Sequence, residues 1–428
     1  MKLRLSKIAN FSIGLLLFGV GASLGFRIGA TGKLPFDLQV PFLTGFVQKT
    51  TVSALSRLTG SPLPPETLSN QPVAFNTFWE VWKLLEQDYL EPTKLDAAKM
   101  VDGAITGLAG SLDDPYTMYL SPEDNQRSSE DLAGSFYGVG IELGYIDSIL
   151  AVIAPLKDSP SAKAGVQAGD LIIKVKDEAA KFEQDTNGWS LPEAVKHIRG
   201  PKGTPVILTL VRKDSNDNKP FEVAVIRDEI IVKSVTLEFV EQNGKRVAHL
   251  SLSKFGERTI SEWNQAVDSI LAEKSNIKGI VFDLRNNPGG FFDTSIQVAS
   301  DFIKSDVVVS QQSKYKSEKY PSNGKFRLAG IPVVILVNKG SASAAEIVAG
   351  ALKDDLNTKL IGEKTFGKGT VQDRRDLSNG GGLHITVGRW LLPKGSWIHK
   401  EGIPVDIEIK DNPDTKEDEV LNKGIETL

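Results

Sequence analysis

A strand-to-helix unit in the C-terminal third of the chain constrains the fold most strongly. The apolar run from Ile331 to Asn338 predicts a buried strand, and the segment from Glu346 to Asp354 has helical composition. Between them, a Gly-Ser-Ala-Ser-Ala-Ala turn presents Ser343 where backbone N–H groups and the helix dipole favour negative charge. A serine in this position could act as an acyl-transfer nucleophile with an oxyanion hole beside it.

The overall composition is that of a globular chain long enough for two or three domains. Of its 428 residues, 40% are hydrophobic and 24% are charged. The net charge of −4 and the lack of a long basic block argue against nucleic acid as a partner. The chain has no cysteine, which excludes disulfides, thiol nucleophiles and thiolate metal sites.

The N-terminus has the pattern of an export signal or a signal anchor (residues 1–30). Lys2, Arg4 and Lys7 precede an uncharged segment from Ile8 to Phe26, which as a helix spans roughly 28 Å, enough for a bilayer core. The small-residue site at Val20-Gly21-Ala22 is poor, which favours an uncleaved anchor over a removed signal. The positive-inside rule then predicts a single-pass protein of the cell membrane with an extracytoplasmic catalytic part. The alternative is secretion after signal cleavage.

Residues 31–72 are predicted to form a linker and residues 73–130 a helical N-terminal region. A second helix is expected from Asp96 to Leu112, followed by a turn at Asp113-Asp114-Pro115-Tyr116. The first helix carries aromatic and apolar residues on one face, which we expect to be packing residues. These residues are Phe75, Phe78, Trp79, Trp82, Leu85 and Tyr89.

Residues 131–227 change to short strands with two short helices, one beginning at Ser159 and the other running from Leu191 to Ile198. A strand is expected from Thr204 to Arg212. This pattern resembles a PDZ domain. The resemblance implies that the loop of Gly138, Val139, Gly140 and Ile141 binds a terminal carboxylate and that an exposed strand edge accepts the peptide.

From residue 228 to 410, alternating strands and helices predict an α/β core with partly parallel strands. Residues 411–428 are expected to form a C-terminal helical tail. Residues 304–328 are interpreted as a polar connection. The strands are predicted at 247–252, 279–284 and 382–392, and the helices at 259–272, 294–302 and 417–428.

A nucleophilic serine requires a base, and the chain offers two kinds. The four histidines, His197, His249, His384 and His399, share no motif with Ser343. The competing base is Lys368, whose pKa would have to fall from about 10.4 to about 7, a bias of roughly 4.6 kcal/mol that desolvation can supply.

Structural interpretations of the same residues remain open. Ser343 and Glu346 match a capping box, in which the serine only caps a helix. Lys368 could be a solvated turn lysine, and Ser341 is a second candidate nucleophile.

Two segments, Ser341 to Ile347 and Thr365 to Gln372, together resemble the carboxyl-terminal processing proteases, which are tail-specific serine proteases with a Ser–Lys dyad. The resemblance covers about residues 75–428 and includes the Asp-Leu-Arg-Asn-Asn-Pro-Gly-Gly turn ending at Gly290. It implies an α+β multidomain fold: an α/β protease core of the ClpP/crotonase-like type with an inserted PDZ domain and an N-terminal helical region. The N-terminal charge and hydropathy pattern adds an N-terminal membrane segment to this prediction.

The resemblance also assigns roles to individual residues. Ser343 matches the nucleophile, Lys368 the general base and Gln372 the residue that orients the lysine. The N–H groups of Gly289 and Ala344 match the oxyanion hole.

Two further residues match family positions, each beside a structural alternative. Asp354 matches an aspartate that is sometimes grouped with the catalytic residues, but an ion pair with a structural role is the better interpretation. Arg199 resembles an arginine that couples the PDZ domain to the core, and the alternative is a solvated turn arginine.

The implied function is that of an extracytoplasmic serine endopeptidase that captures apolar protein C-termini and cleaves near the tail through an acyl-enzyme. No metal or organic cofactor is expected. The expected partners are protein tails and the membrane, while a homo-oligomer or an adaptor protein remains open. The alternatives are a non-catalytic PDZ scaffold that binds C-terminal peptides and a hydratase-like enzyme on a related core.

Overall fold

The structure is a computed structural model that describes residues 75–212, 219–304, 306–412, 415 and 417–428. The predicted signal anchor and linker lie outside these residues. Within the described ranges, no helix has the length and apolar character needed to cross a membrane. The chain divides into two compact units, one ending at Leu95 and one running from Asp96 to Leu428.

The described part of the first unit is helix α1 (Asn76–Asp88) and a 3-10 turn (Pro92–Lys94). The predicted helix is present, but the expectation that its aromatic face is packed is wrong, since no residue of α1 is buried. Trp79 is 60% exposed and makes edge contacts with its neighbours Phe78 and Trp82. The helical period determines which residues share a face, but it does not determine what covers them.

The second unit contains the remaining elements, which alternate between helices and strands along the chain. The helices are α2 (Ala97–Gly110), α3 (Pro122–Ala133), α4 (Pro160–Lys163), α5 (Leu191–Ile198), α6 (Thr259–Ala272), α7 (Phe292–Ala299), α8 (Ala344–Leu356) and α9 (Glu419–Thr427). The first nine strands are β1 (Met118–Leu120), β2 (Ser135–Gly138), β3 (Ile141–Ile146), β4 (Ile149–Pro155), β5 (Leu171–Asp177), β6 (Phe182–Asp185), β7 (Pro205–Val211), β8 (Phe221–Ile226) and β9 (Asp228–Ile231). The others are β10 (Val235–Gln242), β11 (Lys245–Leu252), β12 (Ile280–Asp283), β13 (Val307–Ser313), β14 (Ser317–Pro321), β15 (Val333–Val337), β16 (Lys359–Gly362), β17 (Thr370–Asp376), β18 (Gly382–Leu391) and β19 (Ile407–Glu408).

The predicted PDZ domain has its own sheet, ordered β3-β4-β5-β7-β8 with β6 paired to β5. Its hydrophobic core is separate from that of the protease region and includes Leu150, Ile172, Val206 and Leu208. Strands β2 and β9 lie on either side of this domain in the chain and pair antiparallel with each other. This two-stranded ribbon holds together the two ends of the insertion.

The central sheet of the protease region is ordered β10-β11-β12-β15-β16-β19. β10 is antiparallel to β11, whereas β11, β12, β15, β16 and β19 are mutually parallel, as the sequence predicts. Alternate residues of a strand point to opposite faces, so Phe282 packs in the cluster that contains α6, α7 and α8. Its neighbour Val281 packs against α9 on the other face.

The interpretation of residues 304–328 as a polar connection is wrong, because they form the antiparallel hairpin of β13 and β14. The sequence signal for the first strand is the apolar pair Val308 and Val309 at its start, which is buried in the structure. The polar residues that follow obscure this signal. β18 lies at the centre of this second sheet and pairs with β1, β13 and β17. A segment of the predicted helical region therefore contributes strand β1 to the protease region.

Candidate active site

The candidate nucleophile lies in the turn after β15, which contains Ser341 and Ser343. These two serines have different surroundings. Ser341 is fully buried, and its hydroxyl donates to the Leu284 carbonyl at 2.8 Å and accepts the Asn338 N–H at 3.0 Å. Both bonds hold the turn together. Ser341 is therefore a structural residue, and Ser343 is the serine that lines a cleft.

The backbone of Ser343 is strained. Its φ of 55° and ψ of −116° place a residue with a side chain in a region that L-residues rarely occupy, whereas helix N-caps are normally extended. Its N–H donates to Oε2 of Glu346 at 2.9 Å, so the glutamate half of the predicted capping box is formed. Capping alone does not require this conformation, and strain of this kind concentrates at functional sites.

The loop after β12 packs directly against the serine. Gly289 has a φ of 100°, and a Cβ atom there would come within 2.8 Å of the Ser343 Cβ and 3.0 Å of the Ala344 nitrogen. Only glycine fits this approach. The two predicted oxyanion-hole residues are therefore neighbours. In the structure, the Gly289 N–H donates to Oδ1 of Asn287 at 2.8 Å.

The loop that carries Lys368 is joined to the serine turn by one buried carboxylate. Oε2 of Glu346 accepts the Lys368 N–H at 2.9 Å, and Oε1 accepts the Gly367 N–H at 2.7 Å and the Thr365 hydroxyl at 2.6 Å. Glu346 is fully buried, and this burial raises the pKa of its carboxyl group. The sequence interpretation gave this residue only a capping role. The sequence does contain an indication of this role: Glu346 is the single charged residue in the otherwise apolar start of α8, and a buried charge requires hydrogen-bond or ionic partners.

The side chain of Lys368 faces the same cleft as Ser343, a cavity of about 480 Å³. Burial lowers the pKa of the Lys368 amine, and the nearby charges of Asp114 and Glu346 oppose that shift. The lysine is thus not a solvated turn residue. A lowered pKa is the direction that a general base requires.

Gln372 lies on β17 and lines this cleft. Its amide nitrogen donates to the hydroxyls of Thr370 at 2.9 Å and Thr386 at 3.2 Å. Because those bonds occupy the nitrogen, the carbonyl oxygen is the group left to contact a lysine amine. The role of Gln372 in orienting Lys368 stays a prediction.

The four histidines have different surroundings, and His399 stacks on Trp397. His197 stacks on Phe182 in the predicted PDZ domain, and His249 contacts Asp283 at 3.2 Å. His384 lines the cleft, and burial, with Arg374 and Lys368, lowers its pKa. Sequence spacing did not indicate that this histidine lies at the site.

Two other predicted residues lie away from the cleft lining. Asp354 accepts the Lys394 N–H at 3.0 Å and lies 4.0 Å from the Lys394 amine. Arg199 pairs with Glu130 of α3 at 3.2 Å and lies 3.9 Å from the ring centroid of Phe136 on β2. Arg199 thus links α5 to α3 and β2, while its coupling role stays a prediction.

The predicted carboxylate loop lies between β2 and β3. Val139 and Gly140 use their carbonyls to accept the N–H groups of Ser161 and Leu156, each at 2.9 Å. Gly140 has a φ of 72°, and a Cβ atom there would collide with Ser159. With both carbonyls bonded, the N–H groups are the polar backbone groups that these two residues can offer a ligand.

Comparison with known proteins gives one consistent result. The profile of peptidase family S41 matches residues 246–409, a PDZ domain profile matches 152–212, and the profile of the activating protease CtpB N-terminal domain matches 58–124. Carboxy-terminal processing protease CtpA of Bacillus subtilis is 38% identical over 330 residues, which are 77% of this chain and 67% of the relative. CtpB of the same organism is 32% identical over 386 residues, which are 85% and 78% of the two chains.

A solved structure supports the fold. The structure of a putative S41 protease from Bacteroides fragilis aligns over 83% of this chain and 98% of its own length, with a TM-score of 0.51 and 16% identity. At that identity the likeness concerns the fold alone.

Proposed function

The chain belongs to the carboxy-terminal processing proteases of peptidase family S41, and from this premise we propose that it cleaves proteins near their C-termini with a Ser343–Lys368 dyad. The observation that carries the proposal is that both side chains line one cleft while Glu346 binds both backbone N–H groups. A single buried residue therefore binds the backbone of both the proposed nucleophile and the proposed base.

In the proposed reaction, neutral Lys368 accepts the hydroxyl proton as the Ser343 oxygen attacks the scissile carbonyl carbon. The oxyanion accepts the Ala344 N–H, which lies in the first turn of α8 where N–H groups lack helical partners. It also accepts the Gly289 N–H, whose hydrogen bond to Oδ1 of Asn287 breaks as the new bond to the oxyanion forms. Donors of this kind contribute about 3–4 kcal/mol each.

The tetrahedral intermediate then expels the amine, which takes the proton from the Lys368 ammonium group. This leaves an acyl-enzyme ester on Ser343. Water attacks the ester carbon while Lys368 accepts its proton, and that proton returns to the serine oxygen as the acid product leaves. The cycle regenerates both residues and consumes one water molecule.

The PDZ domain is proposed to capture the apolar tail of the substrate. β3 is one of the two edge strands in the sheet order β3-β4-β5-β7-β8, so an extended peptide can add to it as a further strand. The loop of Gly138, Val139, Gly140 and Ile141 directly precedes this edge. The terminal carboxylate of the peptide would bind there, at the end of the added strand.

We also propose that residues 8–26 anchor the chain in the cell membrane with the protease outside the cytoplasm. Support comes from the uncharged segment and its basic flank. N-terminal sequencing of the purified protein distinguishes the two fates: an intact N-terminus fits the anchor, and a new N-terminus near residue 22 fits the secreted alternative.

The proposed activity is tested by incubating the full chain, purified in detergent, with an unfolded protein that carries an apolar C-terminal tail. Cleavage is expected, and Ser343→Ala and Lys368→Ala should each abolish it. Binding of the tail without cleavage by the native chain would instead support the PDZ scaffold. Cleavage that survives Lys368→Ala would contradict the dyad.

A further inference from the structure

We propose that Tyr116 and Asp114, from the turn before β1, form an additional wall of the active site and act as positioning residues for the Lys368 amine. This inference rests on the proposed function, because it assigns a task to residues around the proposed base. Sequence interpretation gave these residues only the geometry of a turn. Their contacts connect that turn with the catalytic cleft.

Tyr116 lines the cleft together with Ser343, and its ring centroid lies 5.1 Å from the Lys368 amine. At this distance the ring face attracts a cation, which favours the charged amine, whereas the ring also excludes water from that side, which favours the neutral amine. We expect the second effect to be the larger one, because burial is the largest influence on the Lys368 pKa. The ring therefore restricts both the position of the amine and its hydration.

The Tyr116 ring is held in place by an aromatic stack. It makes an edge contact with the ring of His399 at 5.9 Å, and His399 stacks on Trp397 at 5.1 Å. The Trp397 indole N–H donates to the carbonyl of Gly369 at 2.8 Å. Because Gly369 follows Lys368 directly, this stack fixes the ring relative to the lysine loop.

Asp114 holds the backbone of the turn and adds a charge. Its carboxylate accepts the Tyr116 N–H at 3.1 Å and the Thr117 hydroxyl at 2.7 Å. The Thr117 oxygen in turn accepts the N–H of Thr386 on β18 at 3.0 Å. Thr386 also accepts from Gln372, so the turn is bonded to the hairpin that carries the predicted orienting glutamine.

The elements around the Lys368 amine therefore shift its pKa in opposite directions. Burial lowers the Lys368 pKa, whereas the charges of Asp114 from the turn and Glu346 from α8 raise it. His384 faces it from β18, with its own pKa lowered by burial and by Lys368. Removing the ring and removing the Asp114 charge should thus shift the titration of the lysine in opposite directions.

The test measures kcat/KM as a function of pH for variants in the full chain. Tyr116→Phe keeps the ring and should stay within about twofold of the native rate, since only the ring is needed. Tyr116→Ala should lose about tenfold or more and shift the acidic limb of the profile to higher pH as water enters. Asp114→Asn should shift that limb to lower pH. Opposite shifts are not expected if both residues only stabilise the fold.

Two matched controls separate these effects from general damage. Asp113→Asn removes the same charge from the adjacent residue, whose φ of 54° asparagine tolerates. Tyr315→Ala removes a tyrosine that is 86% exposed and lies outside the cleft lining. Both controls should leave the pH midpoint unchanged.

A second readout does not need activity. In a Ser343→Ala background, competitive acetylation followed by mass spectrometry gives the pKa and reactivity of the Lys368 amine. Tyr116→Ala should raise that pKa and Asp114→Asn should lower it. If the native chain fails to cleave but these shifts appear, the proposed function fails and the positioning stands; if cleavage occurs and neither variant moves the Lys368 titration, the positioning is overturned.

Discussion

The backbone N–H groups of Ser343 and Lys368 donate to the same oxygen atom, Oε2 of Glu346, each at 2.9 Å. The two residues are 25 positions apart in the chain and belong to different loops. Since this oxygen belongs to a buried side chain of α8, we expect the relative position of the proposed nucleophile and base to depend on this carboxylate.

We therefore expect Glu346→Gln to impair catalysis strongly. The carboxylate accepts four donors, and an amide NH₂ in place of one oxygen leaves donors facing donors. Each unsatisfied buried group costs about 1–3 kcal/mol, so both the melting temperature and kcat should fall. If a stabilising substitution elsewhere in the fold restores the activity of the Glu346→Gln chain, a positioning role for Glu346 is contradicted.

A methyl group at Gly289 should block the proposed oxyanion hole. Gly289→Ala places a carbon within 2.8 Å of the Ser343 Cβ, so kcat should fall at least about a hundredfold, as for loss of an oxyanion donor. The control is Gly330→Ala, because Gly330 also has a positive φ, of 73°, but open space around its Cβ position. This control carries a similar backbone strain of about 1–2 kcal/mol and should keep its activity.

The proposed dyad predicts how the rate depends on pH. Because burial lowers the pKa of Lys368, kcat/KM should rise with pH through a midpoint below the ordinary value for lysine. Lys368→Arg should be inactive at every pH, since arginine does not deprotonate in this range. If His384 were the base, His384→Gln would remove the pH dependence and Lys368→Arg would retain activity.

Lys368 should also reduce stability at neutral pH. A lysine whose pKa is lowered in the folded state binds fewer protons there than in the unfolded chain, so stability rises as pH increases from the folded pKa to 10.5, the unfolded value. Lys368→Met should therefore raise the melting temperature most at low pH. The difference from the native protein should shrink towards pH 10.5, and thermal denaturation across this range provides the measurement.

Local pattern predicts much of the fold. The helices at 191–198 and 259–272 are predicted to their end residues, because hydrophobic periodicity is a local property of the sequence. The parallel strands of the central sheet follow from alternating apolar runs and helices. The β13–β14 hairpin does not, because its polar outer residues hide a strand that is held by pairing with β18.

Local sequence could not predict the shape of the site in the same way. Glu346 and Thr365 are 19 residues apart, and Tyr116 and Lys368 belong to segments separated by the whole PDZ domain. Spacing within a motif contains no information on such contacts. The family resemblance supplied Ser343 and Lys368, whereas packing shows the residues that hold them.

The pairing of β1 with β18 also bears on when the protease becomes active. Tyr119 is paired with Leu383, a partner that a growing chain produces only after the PDZ domain and most of the core have been made. Contacts so distant in sequence form late, after local elements have folded. The turn that holds Asp114 and Tyr116 is adjacent to β1, so the wall beside Lys368 closes only after β18 has been made. A nascent chain can therefore build its peptide-binding domain well before it can cut.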